Sequence, residues 1–182
     1  MTTREHQSIR DIASHLVTGV SVVVTMAEGE PFATTAGSVV AASWDPPLLA
    51  VLFQTGSRMA TALGKCGRFT VNVLGETDHG LARRLARPDR ETGWAALSGA
   101  GFLCRDPSPP VLSEAVAWAD CAVVQTIPIG DHLCFVGEVL ASARHDGAAP
   151  LAYHRGRFRA LGTAVAPAAW TAVEATDLTT VW

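Results

Sequence analysis

The feature that most constrains this chain is the close spacing of its strand-like segments. Branched and apolar residues predict strands at 20–26, 32–38, 48–53, 68–74, 117–129, 133–143, 151–153 and 157–161. Most of the gaps between them are three to nine residues long, and turn signals such as Glu28-Gly29 occupy them. A parallel crossover needs a dozen or more residues, so strands this close must pair mostly antiparallel. The spacing therefore predicts a mainly β fold.

Three helices are expected beside these strands, at 8–17, from Ser57 to Lys65 and at 77–87. The first has its apolar residues on one face, Ser57 is a natural N-cap for the second, and Pro88 ends the third. From Pro88 to Pro110 the pattern is irregular and rich in glycine and proline, which predicts a long surface excursion that serves as a lid or binding segment. Peripheral helices around antiparallel strands favour a Greek-key or related β-barrel.

The domain boundaries follow from composition along the chain. Residues 1–162 contain every predicted strand and helix and no linker, so they are expected to form one domain. Residues 163–182 are rich in alanine, threonine and proline and carry Trp170 and Trp182. We expect this C-terminal tail to dock on the barrel or on a partner subunit, because exposed indole rings favour an apolar contact.

Composition excludes several classes of function. The 182 residues are 48% hydrophobic and 17% charged, which is typical of a globular domain and not of a disordered chain. A net charge of -3 without basic runs argues against nucleic-acid binding, which needs a concentrated positive face. The first 18 residues lack the apolar core of a signal peptide, and no apolar run could span a membrane. We therefore expect a cytoplasmic protein that binds no membrane.

The familiar catalytic and metal motifs are also missing from the sequence. The cysteines at 66, 104, 121 and 134 form no CxxC pair, so no metal site is predicted and they are expected to be reduced thiols packed as small hydrophobes. The chain contains no GxGxxG, GxxxxGK[ST], GxSxG or HExxH motif, and its six histidines are scattered. A nucleotide or hydrolase site of a common type is therefore not expected.

Small, hydroxyl-rich turns at strand ends are the remaining candidates for a binding site. They lie at 34–38, 42–47 and 54–58, where small side chains would let a planar ligand approach the backbone. Ser57 and Arg58 at a helix N-terminus form a reasonable phosphate site, in which backbone donors, a hydroxyl and a guanidinium converge. The alternative is that Ser57 is only an N-cap and Arg58 a solvated charge.

Seven short motifs occur in a meaningful order. They are TGVSVV at 18–23, TAGS at 35–38, SWDPP at 43–47, SRM at 57–59, FTVNVL at 69–74, GDH at 130–132 and PLAYHRG at 150–156. Together they resemble TGVTVV, TANS, S-x-DPP, S-x-T, FAVNVL, GDH and PL-x-Y-x-x-G of the flavin reductases of the flavin-binding split-barrel family. The resemblance covers about residues 8–162 and implies a split β-barrel of the Greek-key type with peripheral α-helices.

The resemblance also implies roles for individual residues. The TANS and S-x-DPP segments of the family line the isoalloxazine and ribityl chain, and S-x-T holds the phosphate. The GDH histidine is associated with the nicotinamide side, which makes His132 the candidate catalytic residue. The candidate cofactor-binding residues are Thr35, Ala36, Gly37, Ser38, Ser43, Gln54, Ser57, Arg58, Met59, His132 and Tyr153.

Three departures from the family pattern leave the choice between FAD and FMN open. Gly37 replaces the usual asparagine, which removes a side-chain amide near the flavin. Met59 replaces threonine, which removes a hydroxyl from the phosphate segment and gives Arg58 more weight. Leu85-Ala86 stands where the family often has Phe-Ala, so an aromatic contact from that helix is in doubt.

The function implied by the resemblance is an NAD(P)H:flavin oxidoreductase. Such an enzyme reduces FAD or FMN by hydride transfer from NADH, or NADPH, and releases the reduced flavin to a partner monooxygenase or halogenase. The resemblance further implies a homodimer with its sites near the subunit interface. The alternatives are a non-catalytic flavin-binding module, acting as a sensor or electron relay, and an oxidase of the pyridoxamine-phosphate type, whose basic substrate pocket has no evident counterpart here.

Overall fold

The computed structural model describes residues 3–162, with side chains from residue 9 onward. The helices are α1 (Thr3–His15), α2 (Arg58–Cys66), α3 (His79–Ala86) and α4 (Gly93–Leu97). The strands are β1 (Thr18–Gly19), β2 (Ser21–Ala27), β3 (Glu30–Ala36), β4 (Val39–Trp44), β5 (Pro47–Gln54), β6 (Arg68–Val73), β7 (Phe102–Arg105), β8 (Ser108–Leu112), β9 (Ala117–Ile129), β10 (His132–Arg144), β11 (Ala152–His154) and β12 (Arg157–Arg159).

A seven-stranded antiparallel sheet with the order β3-β2-β6-β9-β10-β5-β4 is the centre of the molecule. Its two edge strands, β3 and β4, are consecutive in the chain and are joined only by Gly37 and Ser38. Three residue steps span at most about 11 Å, so the two edges must meet at this end. The sheet therefore curls into a barrel that stays split between β3 and β4, as predicted.

The sheet has an apolar core on each face. Inside the barrel, α2 packs through Met59 and Leu63 against Val23, Phe69 and Phe135. The opposite face is covered by α3, α4 and β8, and its buried residues are Val20, Val22, Val24, Ala33, Leu74, Ala82, Leu85, Ala96, Leu97, Leu112, Ala115 and Leu151. Strand β2 contributes to both cores because successive side chains point to opposite faces. Its continuous valine run is the signature of a strand buried on both sides.

Asn72 in the FTVNVL motif has a structural position. Its side chain is fully buried, where its Nδ2 donates to the Val22 carbonyl at 3.1 Å and its Oδ1 accepts from the Leu112 N–H at 2.7 Å. Thr70 donates to the Pro110 carbonyl at 2.7 Å on the same side. These bonds attach β8 to the central sheet, so this part of the motif maintains the fold.

Two predictions about the elements were wrong. Strand β4 was not predicted because its sequence, VVAASW, is rich in small residues and its side chains are mostly exposed along an edge. The segment 88–110 was expected to be irregular, but it contains α4, β7 and the start of β8. Strand β8 tolerates two prolines because, within residues 3–162, it pairs with β7 alone, at an edge where an N–H donor is dispensable.

Two apolar segments are less buried than expected. In β5, Ala50, Val51 and Phe53 are buried, but the leucines at 48, 49 and 52 are only half-buried, so the strand is not covered completely on both sides. On α1, the apolar face is solvent-exposed: Ile9 and Ile12 are each 59% accessible. The predicted docking of the tail 163–182 lies outside the described residues.

Two further observations concern membranes and cysteines. None of the helices within residues 3–162 is both long and apolar enough to cross a membrane. All four cysteines are free thiols, of which Cys121 and Cys134 pack in the core as predicted and Cys66 and Cys104 are exposed. Burial raises the pKa of the Cys121 thiol to about 12, with a smaller contribution from the neighbouring Asp120 charge, so this cysteine stays neutral.

Candidate functional site

The link between β3 and β4, which we call the Gly37 corner (residues 35–38), is held by several elements at once. Thr35 Oγ1 donates to the Ala82 carbonyl of α3 at 2.7 Å, and Ser38 Oγ donates to the Leu52 carbonyl of β5 at 2.9 Å. A Cβ added at Gly37 would lie 3.0 Å from Thr18 Oγ1. Position 37 is therefore a glycine, where the family usually has asparagine, at a point where Thr18 of β1 approaches the corner closely.

The corner presents main-chain groups as well as small side chains. Strands β3 and β4 are the two edges of the seven-stranded sheet, and within residues 3–162 each pairs with one neighbour only. An edge strand exposes a row of N–H and C=O groups without ladder partners. The split in the barrel can therefore offer backbone donors and acceptors to a planar ligand that has ring oxygens and nitrogens.

A cavity of about 690 Å³ opens on the outer side of this corner. Thr35, Gly37 and Tyr153 line it, and Tyr153 is placed there by pairing with Thr18 across β1 and β11. Its basic wall was not predicted and consists of Arg83, Arg157 and Arg159, with His79 and Glu76 also lining the cavity. His79 and Arg83 share one face of α3 because they are four residues apart, a spacing visible in the sequence.

A second group of predicted residues lies at the start of α2. Ser57 is the N-cap of this helix, as predicted, and accepts a hydrogen bond from the Ala60 N–H at 3.2 Å. The Arg58 guanidinium lies 5.1 Å from the centre of the Phe32 ring. Met59 is only 2% exposed and points into the core, so any ligand contact at this position would involve its backbone.

Arg90 joins this second group although the sequence did not single it out. Its guanidinium lies 5.4 Å from the Phe32 ring, and it donates to the carbonyls of Ala33 and Arg87, each at 3.0 Å. Burial lowers the pKa of Arg90, and the nearby Arg58 charge lowers it further. The only sequence signal was its place in the excursion after Pro88, a type of segment that often binds ligands.

Arg58 borders a groove over Phe32, and Arg90 contacts the same ring from outside the lining of that groove. It comprises two adjoining cavities of about 630 and 480 Å³, which share Ala27, Glu28, Phe32 and Arg58. Among the described side chains, neither Arg58 nor Arg90 has an ion-pair partner. Two adjacent cations without a carboxylate partner suit an anionic ligand, since guanidinium groups bind phosphate well. The residues present therefore fit the phosphate-bearing end of a flavin nucleotide.

His132 lies near the corner but outside the lining of these cavities. It starts β10 directly opposite Gln54 at the end of β5, so the pairing of these strands brings these two predicted residues together. Its Nδ1 is 2.7 Å from Asp131 Oδ1, and the Thr55 N–H donates to the Asp131 carbonyl at 2.9 Å. The Asp131 carboxylate thus orients a half-exposed imidazole whose Nε2 faces away from that bond.

Ser43 is a predicted residue that lies away from the corner along β4. It pairs with Leu48 at the far end of β4, whereas Ser38 adjoins the near end of that strand. Five residues of extended chain separate the two serines by about 17 Å. A contact between Ser43 and the flavin stays a prediction, and it would require a ligand that runs along the strand.

Comparison with known proteins extends these observations. The family described as "Flavin reductase like domain" matches residues 13–162. A Rhizobium meliloti protein named "Probable flavin reductase" is 37% identical over 89% of this chain, and the chain spans 52% of that protein's length. The NADH-dependent FMN reductase AsuE2 of Streptomyces nodosus subsp. asukaensis is 35% identical over 80% of both chains.

Two solved structures are similar in fold as well as in sequence. BorF, the flavin reductase component of a bacterial two-component tryptophan halogenase, has a TM-score of 0.80 and 34% identity, with 87% of this chain and 99% of that chain covered. The NADH:FAD oxidoreductase SgcE6 of Streptomyces globisporus, in complex with NAD and FAD fragments, has a TM-score of 0.81 and 26% identity over 91% and 98% of the two chains. The split-barrel fold is thereby confirmed, and the chain belongs to the flavin reductase-like family.

Proposed function

We propose that this protein is an NAD(P)H-dependent flavin reductase, with NADH as the favoured donor. The observation that carries the proposal is the Gly37 corner, where the split in the barrel exposes backbone groups beside a cavity of about 690 Å³. The named relatives that use NADH and a flavin support it. They are enzymes, which favours catalysis over the alternative of a non-catalytic flavin-binding module.

In this proposal the chain binds and orients while the cofactors carry the chemistry. When bound, the flavin supplies the redox chemistry by accepting a hydride from the nicotinamide. The backbone N–H groups of the corner stabilise negative charge on the flavin ring, and the small residues Ala36 and Gly37 let it approach. His132, oriented by Asp131, positions the nicotinamide side. The basic wall formed by Arg83, Arg157 and Arg159 attracts the nucleotide phosphates.

Steady-state oxidation of NADH, followed at 340 nm with FAD, FMN or neither flavin, tests the function. We expect turnover that depends on added flavin, and slower turnover with NADPH. The absence of flavin-stimulated oxidation with both nucleotides would contradict the proposal. In the same assay, His132→Ala should raise the KM for NADH more than the KM for flavin. Equal changes in the two constants would remove His132 from the nicotinamide site.

We also propose that the protein is a homodimer that supplies reduced flavin to a monooxygenase or halogenase in the cytoplasm. BorF serves such a halogenase, which supports a partner of this class. The dimer is supported by apolar side chains exposed in the single chain, on α1 and at Val40 and Trp44 of the edge strand β4. Sedimentation should give twice the mass of 19.1 kDa. A monomer at micromolar concentration would contradict the dimer.

The role of residues 163–182 remains part of the proposal. Their two tryptophans are expected to dock on the barrel or on the partner subunit. A chain that ends at residue 162 should then change its oligomeric state in sedimentation or unfold at a lower temperature. An unchanged oligomeric state together with an unchanged Tm would remove this role.

A further inference from the structure

The basic wall of the cavity beside the Gly37 corner carries positive charge that the protein does not balance locally. Arg83 of α3 and Arg157 and Arg159 of β12 line this cavity of about 690 Å³, and all three are exposed. Within the side chains of residues 9–162, none of the three guanidiniums has a carboxylate oxygen within 4.0 Å. Among the described lining residues, Glu76 is the one carboxylate. The wall therefore suits a ligand with several negative charges.

Arg157 and Arg159 lie side by side on a hairpin that is held in place. Alternate residues of a strand share one face, so these two side chains leave β12 on the same side, from Cα atoms about 7 Å apart. At the turn of the hairpin, the Arg155 N–H donates to the Ser14 carbonyl of α1 at 3.0 Å. The two guanidiniums are therefore presented as a pair at a fixed place.

The hairpin edge forms one side of the cavity. Strand β12 is the outer strand of the sheet β1-β11-β12, and residues 156–160 all line the cavity, as does Tyr153 of β11. Gly37 lines the same cavity from the corner. A nicotinamide that stacks on a flavin at the corner would therefore leave the rest of its dinucleotide to extend along β12.

The number of arginines points to a third phosphate. The diphosphate of a dinucleotide carries two negative charges close together, whereas a phosphomonoester adds about 1.5–2 further charges at pH 7. Its terminal oxygens match the planar fork of a guanidinium. In dinucleotide sites generally, a carboxylate binds the ribose 2′-hydroxyl, and an arginine accommodates a 2′-phosphate. A pair of neighbouring arginines without carboxylate partners is the second arrangement.

We propose that Arg157 and Arg159 bind the 2′-phosphate of NADPH, and that the protein therefore uses NADPH as a second hydride donor beside NADH. This inference rests on the proposed function, because it places the nicotinamide next to a flavin at the Gly37 corner. The 2′-phosphate takes no part in the hydride transfer, so the two arginines act on affinity. NADH remains the faster donor, and the arginines lower the KM for NADPH.

Calorimetric titration with adenosine bisphosphates tests the phosphate site without turnover. Adenosine 2′,5′-bisphosphate should bind the wild type about tenfold more tightly than 5′-AMP, which lacks the 2′-phosphate. The 3′,5′ isomer has the same charge in another position and should bind more weakly than the 2′,5′ isomer. Arg157→Gln and Arg159→Gln should each reduce the preference for the 2′,5′ isomer over 5′-AMP about threefold or more.

Steady-state kinetics with both donors test the role in specificity. Arg159→Gln should raise the KM for NADPH about threefold more than it raises the KM for NADH. Arg159→Lys, which retains the charge but not the planar fork, should give a KM for NADPH between those of Arg159→Gln and the wild type. A selective change in the KM for one donor would not follow from a merely structural role of the arginine.

Arg155→Gln is the matched control. Arg155 lies on the same hairpin and is also exposed, but it is outside the lining of the cavity. Its hydrogen bond to Ser14 comes from the backbone N–H, so the substitution removes one positive charge and retains that bond. This variant should keep the wild-type ratio of the two KM values and the wild-type preference for the 2′,5′ isomer.

Three results would overturn the inference. They are equal binding of the 2′,5′ and 3′,5′ isomers, an Arg159→Gln variant that changes both KM values in the same proportion, and an Arg155→Gln variant with the same selective effect. The last would indicate a general attraction of anions to the hairpin. The proposed function fails by a different result, the absence of NADH oxidation with every flavin. In that case the calorimetric comparison still decides whether Arg157 and Arg159 form a 2′-phosphate site.

Discussion

Two clusters that contact the same sheet place their arginines in opposite electrostatic situations. In the first, the Arg68 guanidinium on β6 binds the buried Asp120 carboxylate of β9 with two hydrogen bonds, at 3.0 and 2.6 Å, and Arg68 also donates to Ser108. In the second, Arg58 and Arg90 meet over Phe32 with no carboxylate partner among the described side chains. The hydrogen bond that Arg68 donates to Asp120 raises the pKa of Arg68, whereas burial lowers the pKa of Arg90.

The contrast shows how a structural charge differs from a binding charge. A guanidinium that has its own carboxylate is satisfied within the fold and ties strands and a hairpin together. Adjacent guanidiniums without one are costly to hold unless a ligand supplies the negative charge. The same residue type therefore stabilises the fold in one cluster and, among the described side chains, has no carboxylate partner in the other.

The largest effect, a loss of unfolding free energy, is expected from breaking the ion pair between Arg68 and Asp120. Arg68→Met leaves the Asp120 carboxylate, 3% exposed, without its cation. The loss of one partner of a buried ion pair costs about 3 kcal/mol or more of unfolding free energy. Urea denaturation should show that decrease, while flavin affinity of the folded variant stays at the wild-type value. A variant as stable as the wild type would show that the pair contributes little.

A smaller effect, on flavin affinity and not on the free energy of unfolding, is expected from the cluster of Arg58 and Arg90 over Phe32. Arg58→Gln should weaken FMN and FAD about tenfold, or about 1.4 kcal/mol. The free energy of unfolding should change by less than about 0.5 kcal/mol, as for surface substitutions, because the change also relieves repulsion from Arg90. Flavin titration and urea denaturation of the same preparation measure both quantities. A large loss of stability with normal flavin binding would reverse the distinction between the clusters.

The smallest effect is expected in the pH dependence of stability. Burial alone would raise the pKa of Asp120, but hydrogen bonds from Arg68 and Ser108 and the Arg68 charge lower it overall. A lowered pKa in the folded state means that the stabilisation is present above the unfolded value, near 3.9, and is lost as the pH falls through the folded value. The stability difference between wild type and Asp120→Asn should therefore shrink from pH 5 to pH 2.5. A constant difference would contradict the shift.

The sequence predicted the elements whose local signals agree with their tertiary position. The valine run of β2, the Ser57 cap of α2 and the Gly130 turn between β9 and β10 were all found, because each depends on neighbours along the chain. Strand β4 was missed because an exposed edge of small residues has no periodic pattern. The resemblance to flavin reductases rested on motif order, and comparison confirmed the family.

The candidate site was predicted only in part. Thr35, Gly37 and Tyr153 come together at one cavity, and Gln54 meets His132 across paired strands. Their roles toward the flavin and nicotinamide stay predictions. Asn72, although part of a motif, is a buried anchor for β8. Arg90 has no local signature, and its guanidinium reaches the Phe32 ring only because the segment after α3 packs on β3.

By itself, the sequence determined that antiparallel strands curl into a barrel, since its apolar periodicity and its short connections between strands leave few other arrangements. It also determined the family, through seven motifs in order. Only the tertiary structure decided which cations remain without a partner. That outcome depends on long-range neighbours: Asp120 lies 52 residues after Arg68, and Arg90 lies 57 residues after the Ala33 carbonyl it binds. Pairing between groups that lie so far apart in the sequence produces no periodic pattern from which it could be predicted.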